Sequence, residues 1–295
     1  KVLFESSVCA WTPIIKLLTE ELAANRVTKI AGMLNGTSNF ILSNMEEGAD
    51  FKPTLELAQK EGYAEPDPTF DIEGMDAAHK IGILSSLAFG TPLPPNDFYI
   101  EGISKIEKID FKYAKEMGFT IKHLAVSKLN EERIELRAHP VLIKEDSYLA
   151  NLKSVRNGIE IETDLLGTLH IAGSGAGQES TASGVISDLV YLANSNNNLL
   201  EIESDNKIEL IDFLSLSFQY YFYIEAEDTP GVMASITSMF GEKKIGIESI
   251  VQKEDSKENM VPIVLITDPF FEREHEDLFK NILNLNSVNK VRSIR

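Results

Sequence analysis

Asp76 and Lys80 stand four residues apart in "GMDAAHK", so on a helix both side chains leave the same face, one turn apart. The commonest meaning of that spacing is an exposed ion pair contributing little. The flanking residues argue for more. Ala77, Ala78, Ile81, Ile83 and Leu84 make this helix apolar on several sides, which shelters the pair and leaves a lysine suited to exchanging protons. The stretch "EGYAEPDPTFDIEGMDAAHK", Glu61 to Lys80, adds Glu65, Asp67, Asp71 and Glu73, so that eight Asp, Glu, His and Lys side chains fall within twenty residues. Carboxylates gathered around one lysine suit two tasks. One is to hold a divalent cation, but hard cations take several oxygens from a tight loop, and the prolines of "PDP" do not give that spacing. The other is to hold a substrate ammonium on one or two carboxylates while the lysine handles a proton, and this is the more economical use.

The elements that must position these groups follow from periodicity. "PIIKLLTEELAAN" predicts a helix opened by Pro13, where a missing N–H costs nothing, and "RVTKIAGML" is a short β-branched run. The "NG" turn signal leads into a helix from about Thr37, and "KPTLELAQKEG" predicts one from Pro53 that stops at Gly62. The "PDP" approach is expected to be rigid and non-helical, and the helix of Asp76 and Lys80 follows it. "KVLFESSV" reads as a strand in progress, and with Lys1 as the first residue the expectation is the inner part of a longer chain. Between about Gly118 and Ala172, alternation in "RIELRAHPVLI" and "NGIEIETDLLGTLHIAG" predicts antiparallel strands. The glycine cluster "GSGAGQES" then leads into a helix whose start is marked by Ser180 and Thr181. The fold class expected is α+β: a mixed sheet with helices on one face over residues 1–200, a polar linker over 201–217, and over 218–295 a ferredoxin-like βαββαβ unit.

Composition narrows the chemistry. A net charge of -18 with no basic run argues against a nucleic-acid backbone or an anionic membrane as partner, which favours small-molecule work. No apolar stretch is long enough to cross a bilayer, and the one cysteine, Cys9, forbids an internal disulfide, so the expectation is a cytoplasmic protein. Cys9 reads as a small buried filler, His79 as cover on the outer side of its helix, and the five histidines lack metal spacing.

"AQKEGYAEPDPTFDIEGMDAAHK", Ala58 to Lys80, resembles the signature of homoserine dehydrogenases: a Gly-aromatic pair, an Asp-Pro, an Asp-hydrophobic-x-Gly-x-Asp and a lysine four residues later. "FESSV", "TPIIK" and "NGTSNFIL" resemble the segments ahead of it, and "GSGAGQESTASGVISDLV" a later Gly-rich one, so the resemblance runs from about Val2 to Ala193. It implies NAD(P)-dependent interconversion of L-homoserine and L-aspartate 4-semialdehyde, in threonine, methionine and isoleucine biosynthesis. Carried over by position, Lys80 is the proton donor in reduction and the base in oxidation, Glu65 and Asp76 bind the substrate, and Gly62 and Gly177 lie against the nicotinamide end of the cofactor. Family members have mostly glycine where this chain has Cys9, Ala10 and Trp11, and main-chain oxygens there hold a monovalent cation; Glu5, Val8, Ala10 and Thr12 are the positions implied for sodium. The G-x-G-x-x-G fingerprint of the family's dinucleotide-binding domain is not found in these residues, so on their own they are expected to turn over little.

"EDTPGVMASI", Glu227 to Ile236, resembles the D-x-P-G-V turn of ACT domains. That resemblance implies pairing between copies as a homodimer or homotetramer and L-threonine as effector, with Asp228, Gly231, Val232 and Ile247 as the binding positions. A non-catalytic amino-acid sensor that keeps the fold is the competing reading, and a dehydrogenase fused to an aspartate kinase a third.

Overall fold

The computed structural model describes residues 2–10, 12–92, 98–194, 208–253 and 260–295. They form two units, one reaching to Ile211 and the other Asp212–Arg295.

The first unit does not open on a strand. Val2–Phe4 is irregular and Glu5–Ser7 is a 3-10 turn. The reason is that side chains satisfy this backbone: the Glu5 N–H donates to Asp188 Oδ2 at 3.0 Å, and the Glu5 carboxylate accepts from the N–H groups of Ile15 and Lys16. Pro13 precedes rather than begins the next helix, α1 (Ile14–Lys16), which passes into a π turn over Leu17–Glu21. The β-branched run is β1 (Val27–Met33). Helices α2 (Gly36–Glu46), α3 (Phe51–Lys60), α4 (Thr69–Ile72) and α5 (Met75–Phe89) follow. α4 is a correction to the non-helical approach expected from "PDP". Asp67 accepts from the Thr69 N–H and hydroxyl, at 3.1 and 2.6 Å, and starts a helical turn directly behind Pro68.

Next come β2 (Tyr99–Ile100), α6 (Lys108–Glu116), the long hairpin of β3 (Phe119–Asn130) and β4 (Arg133–Lys144), then β5 (Arg156–Thr163), β6 (Gly167–Ser174) and α7 (Gln178–Asn194). α7 starts ahead of Ser180, whose hydroxyl donates back to the carbonyls of Ala176 and Gly177 instead of capping an amide. The short β7 (Glu209–Leu210) pairs parallel with β4. The sheet order is β2-β4-β3-β1-β5-β6, with β1, β3, β4, β5 and β6 antiparallel to their neighbours and β2 and β7 parallel to β4. On one face Ile30, Ala125, Ile134, Leu136, Ala138, Ile159 and Ile161 pack with Ala77, Ala78, Ile81 and Leu84 of α5. Alternation sends Ala31, Met33, Leu124, Val126 and Val141 to the other face, where Leu149 and Leu152 join them. Buried on several sides, α5 runs along the three strands β1, β3 and β4.

The second unit has β8 (Ser217–Phe218), β9 (Tyr221–Glu227), α8 (Val232–Glu242), β10 (Ile247–Gln252), β11 (Met260–Thr267), β12 (Phe270–Phe271), α9 (Glu272–Leu283) and β13 (Val288–Ile294). Its main sheet is antiparallel in the order β10-β11-β9-β13, and β8 pairs with β12. Phe222, Ile224, Ile236, Phe240, Ile263, Leu265, Leu278 and Ile282 form its core. Of the expected linker, 201–207 lies outside the described residues, Glu209–Leu210 belongs to the first sheet, and Phe213–Ser215 is a 3-10 turn of the second unit. Trp11 also lies outside the described residues.

Candidate active site

Strand β1 ends at Met33 and delivers Leu34 and Asn35 to the start of α2, where Asn35 Oδ1 accepts from the Ser38 N–H at 2.7 Å. That is an ordinary N-cap, and it fixes the direction of the amide group. The Asn35 Nδ2 then donates to Asp71 Oδ1 at 2.7 Å and to Asp76 Oδ2 at 2.9 Å. Lys80, one turn beyond Asp76, donates to Asp76 Oδ2 at 2.7 Å and to the Leu34 carbonyl at 3.0 Å. The Asp76 and Lys80 side chains are only 20% and 18% exposed, so the pair is sheltered rather than a solvated surface bridge.

The turn carrying the two aspartates is held from behind. Gly74 opens α5 with φ at +84°, and a Cβ there meets His123 Nε2 at 3.0 Å and the Glu101 carbonyl at 3.2 Å. His123 is buried on β3; burial lowers its pKa, and as a neutral ring it donates from Nε2 to the Glu101 carbonyl at 2.9 Å. The Ile103 N–H donates to the Ile72 carbonyl, and the Ser38 hydroxyl donates to that of Asp71.

Burial raises the Asp71 pKa above the usual aspartate value, and the Asp76 charge adds to this; the hydrogen bond from Asn35, then the Lys80 charge and Thr37, oppose it. Cys9 is buried, and its thiol is pushed up to about 11 by that burial, against the pull of Lys80 and Asn157. It is therefore protonated at neutral pH and no nucleophile, a filler whose Sγ accepts from Asn157 Nδ2 at 3.2 Å.

The structure brings Asp76 and Lys80 together and adds Asp71 and Asn35, which sequence reasoning left without a role. Asp71 was visible as one carboxylate among several. Asn35 looked like a turn residue, and no local signal gives its reach to residues 36 and 41 positions away. Glu65 is exposed, its main-chain oxygen accepts from Gln59 Nε2, and its carboxylate bonds to none of these four residues. Gly62 just beyond α3 and Gly177 ahead of α7 both have positive φ, +77° and +117°. A Cβ at Gly62 meets nothing within 4 Å and one at Gly177 meets only the Ser180 hydroxyl at 3.4 Å, so both leave open space against the main chain.

Of the residues implied for sodium, Glu5 has both carboxylate oxygens engaged by the N–H groups of Ile15 and Lys16. Burial nevertheless raises its pKa, those two bonds and Lys16 opposing. Val8 is buried, Cys9 and Ala10 take left-handed backbone at φ 56° and 43°, and the Thr12 hydroxyl is buried without a hydrogen-bond partner among the described residues. Among the described residues no three His, Cys, Asp or Glu side chains gather as a metal cluster. In the second unit, Gly231 opens α8 at φ +99° with no side-chain cap, Asp228 is exposed ahead of it, Val232 is buried, and Ile247 begins β10 packed against the same core.

A sheltered ammonium bonded to a carboxylate, beside a second carboxylate, can hold a small cation on the acids and pass a proton from the base. Comparison with known proteins gives the family. Residues 13–190 match the family model for homoserine dehydrogenase. A homoserine dehydrogenase of Pseudomonas aeruginosa is 41% identical over 302 residues, covering 97% of this chain and 69% of that protein. One of Neisseria gonorrhoeae is 41% identical over 98% of this chain and 69% of its own length. Among solved structures, a homoserine dehydrogenase from Thiobacillus denitrificans superposes with a TM-score of 0.91 at 40% identity, over 100% of this chain and 69% of that one. A hyperthermophilic archaeal homoserine dehydrogenase mutant in complex with NADPH gives 0.56 at 30% identity, over 66% of this chain and 57% of that one. Fold and matches together define an α+β oxidoreductase. The chain belongs to the homoserine dehydrogenase family.

Proposed function

We propose that the first unit binds L-homoserine and L-aspartate 4-semialdehyde and handles the proton of their NAD(P)-dependent interconversion. The observation that carries this is the Lys80 ammonium, held at 2.7 Å by Asp76 and at 3.0 Å by the Leu34 carbonyl. Among the described residues two of its three N–H groups are engaged, which leaves the third for a substrate oxygen. The amino-acid ammonium takes the carboxylates of Asp71 and Asp76, and that of Glu65 from the loop ahead. When the aldehyde is reduced, negative charge grows on its oxygen; Lys80 stabilises that charge and gives up a proton, and in the oxidation it takes the hydroxyl proton back. The nicotinamide cofactor supplies or accepts the hydride when bound. The open backbone at Gly62 and Gly177 suits the approach of a flat ring. The relatives are longer than the matched part, and α7 exposes Val185, Ile186, Leu189 and Val190 as an apolar surface on which a dinucleotide-binding portion can pack. These residues by themselves therefore turn over little.

Sodium is assigned to the main-chain oxygens of Glu5, Val8, Ala10 and Thr12, the Glu5 carboxylate being engaged by the N–H groups of Ile15 and Lys16. The second unit is read as an ACT domain that binds L-threonine at the uncapped start of α8, near Asp228, Gly231, Val232 and Ile247, and pairs copies of the chain as a homodimer or homotetramer. The one buried free thiol suits a cytoplasmic setting. The deciding experiment follows nicotinamide absorbance with L-homoserine in the complete protein. Lys80→Ala is expected to lower kcat by about a hundredfold or more, as for loss of a positioned proton carrier; unchanged turnover sinks the assignment.

A further inference from the structure

Asp71, Asp76 and Lys80 are all tied to two consecutive residues just beyond the end of β1. The Leu34 carbonyl holds Lys80, and the Asn35 amide holds Asp71 and Asp76 with its two hydrogens while its oxygen caps α2. All donors of that amide are spent on carboxylates, an arrangement a cap alone does not require.

We infer that Asn35 is a positioning residue that clamps Asp71 and Asp76 as a pair of ionised acceptors, so that both are ready for a substrate ammonium. Two carboxylates bonded to one nitrogen sit close, and like charges at such range push one of the two to take a proton. A protonated acid no longer attracts an ammonium. The clamp opposes this by giving each carboxylate an N–H, and the Lys80 ammonium helps from the Asp76 side. The raised Asp71 pKa agrees, since burial and Asp76 drive it up while the Asn35 hydrogen bond is the strongest influence drawing it down. The other groups that bear on the pair are Cys9, protonated and coupled to Lys80 and Asp76, and His123, neutral beneath Gly74 beside the Glu101 carbonyl. Thr37, whose hydroxyl donates to the Tyr63 carbonyl, also bears on Asp71 and lowers its pKa.

The use of the pair for a substrate ammonium rests on the proposed function, but the clamp is tested without it. Asn35→Ser and Asn35→Thr both keep a good N-cap for α2 while removing the two amide donors and adding no charge, so loss of the cap and loss of the clamp are separated. The carboxyl carbon shifts of Asp71 and Asp76 are followed against pH by NMR in parent and variants. The expected result is that at least one of the two titrates about one pH unit higher in each variant, with thermal unfolding close to the parent's. Identical titration curves in parent and variants overturn the proposal. In the unsubstituted chain, the side-chain amide protons of Asn35 must shift with the carboxylate titration; a flat response overturns it even if neither variant folds. Calorimetry with L-homoserine then addresses the substrate separately. An affinity about tenfold or more weaker in Asn35→Ser at pH 6, recovering at higher pH, supports the acceptor role. No binding to the unsubstituted protein at any pH sinks the substrate reading while the titration still judges the clamp.

Discussion

Asp71 is ionised at a cost to the fold. Burial raises its pKa above the ordinary 3.8, so the folded chain binds that proton more tightly than the unfolded one. The sign follows. The contribution is fully present below the unfolded value and is lost as pH rises through the raised folded value, so at neutral pH the charge is a burden. Asp71→Asn keeps the size of the side chain and an oxygen for the Asn35 N–H, and removes the burden. The variant should melt about 2 °C higher at pH 8. Its advantage over the parent should shrink towards pH 3, and homoserine affinity should fall about tenfold through loss of a charged acceptor. Scanning calorimetry at several pH values and a binding titration check both halves. A stability difference that does not change with pH rules out burial of the charge as the cause. A carboxylate kept at such a cost to stability is a candidate for a functional role.

At the scale of elements, the approach of α4 to α5 depends on a neighbour that sequence pattern could not name. A Cβ built on Gly102 lies 2.3 Å from the Ile72 carbonyl oxygen and 2.4 Å from the Glu73 Cα, both main chain, so the turn carrying Asp71 and Asp76 can close only over a glycine. Gly102→Ala should cost about 2 kcal/mol in urea unfolding and should also weaken homoserine binding, because the displaced segment is the one that aims the aspartates. Gly241→Ala is the control: its Cβ meets nothing within 4 Å, it lies in α8, and alanine there should stabilise by up to about 1 kcal/mol. Equal effects of the two substitutions would remove close approach as the explanation. The same contrast explains what could be read from the sequence. Helices α2, α3 and α5 and strands β3, β4, β5 and β6 were legible because their apolar spacing is local and matches the helical or strand period. The Asp76–Lys80 pair was legible because one helical turn fixes it. The 3-10 start and the roles of Asn35 and Gly102 were not, since each is decided by a partner distant in sequence: Asp188 for Glu5, Asp71 and Asp76 for Asn35, Ile72 for Gly102. The signal for α4 is local, Asp67 bonded to Thr69, but lies between prolines that point to extended backbone. α6 had a local signal, the reciprocal capping of Glu107 and Asp110, but in acidic residues rather than the usual Ser or Thr.

For the whole molecule, 46 acidic against 28 basic residues make the charge balance strongly dependent on pH, and in the second unit one buried network ties stability to it. Glu272 on α9 accepts from the Tyr220 hydroxyl and from the Arg295 guanidinium, whose Nε lies 2.8 Å from Glu272 Oε2. The two charged side chains are each 7% exposed, and His275 stacks on Tyr220 with ring centres 4.5 Å apart. Burial alone raises the Glu272 pKa, but the two-pronged bond and charge of Arg295, with Tyr220, outweigh it and hold the carboxyl below the ordinary 4.5. The same setting drives the Tyr220 hydroxyl well above its ordinary value, so it remains a donor throughout. For a depressed acid the sign is opposite to that of Asp71: the stabilisation is present above 4.5 and disappears as pH falls through the folded value. Glu272→Gln leaves a buried guanidinium facing a neutral amide and should cost about 3 kcal/mol at pH 7. That deficit should close as pH drops and the parent's own carboxylate takes a proton. Denaturant unfolding of parent and variant from pH 7 to pH 3, followed by near-ultraviolet circular dichroism of the tyrosines, measures the closing gap. If the gap stays constant over that range, packing around α9 rather than the Glu272 charge is what the substitution disturbs.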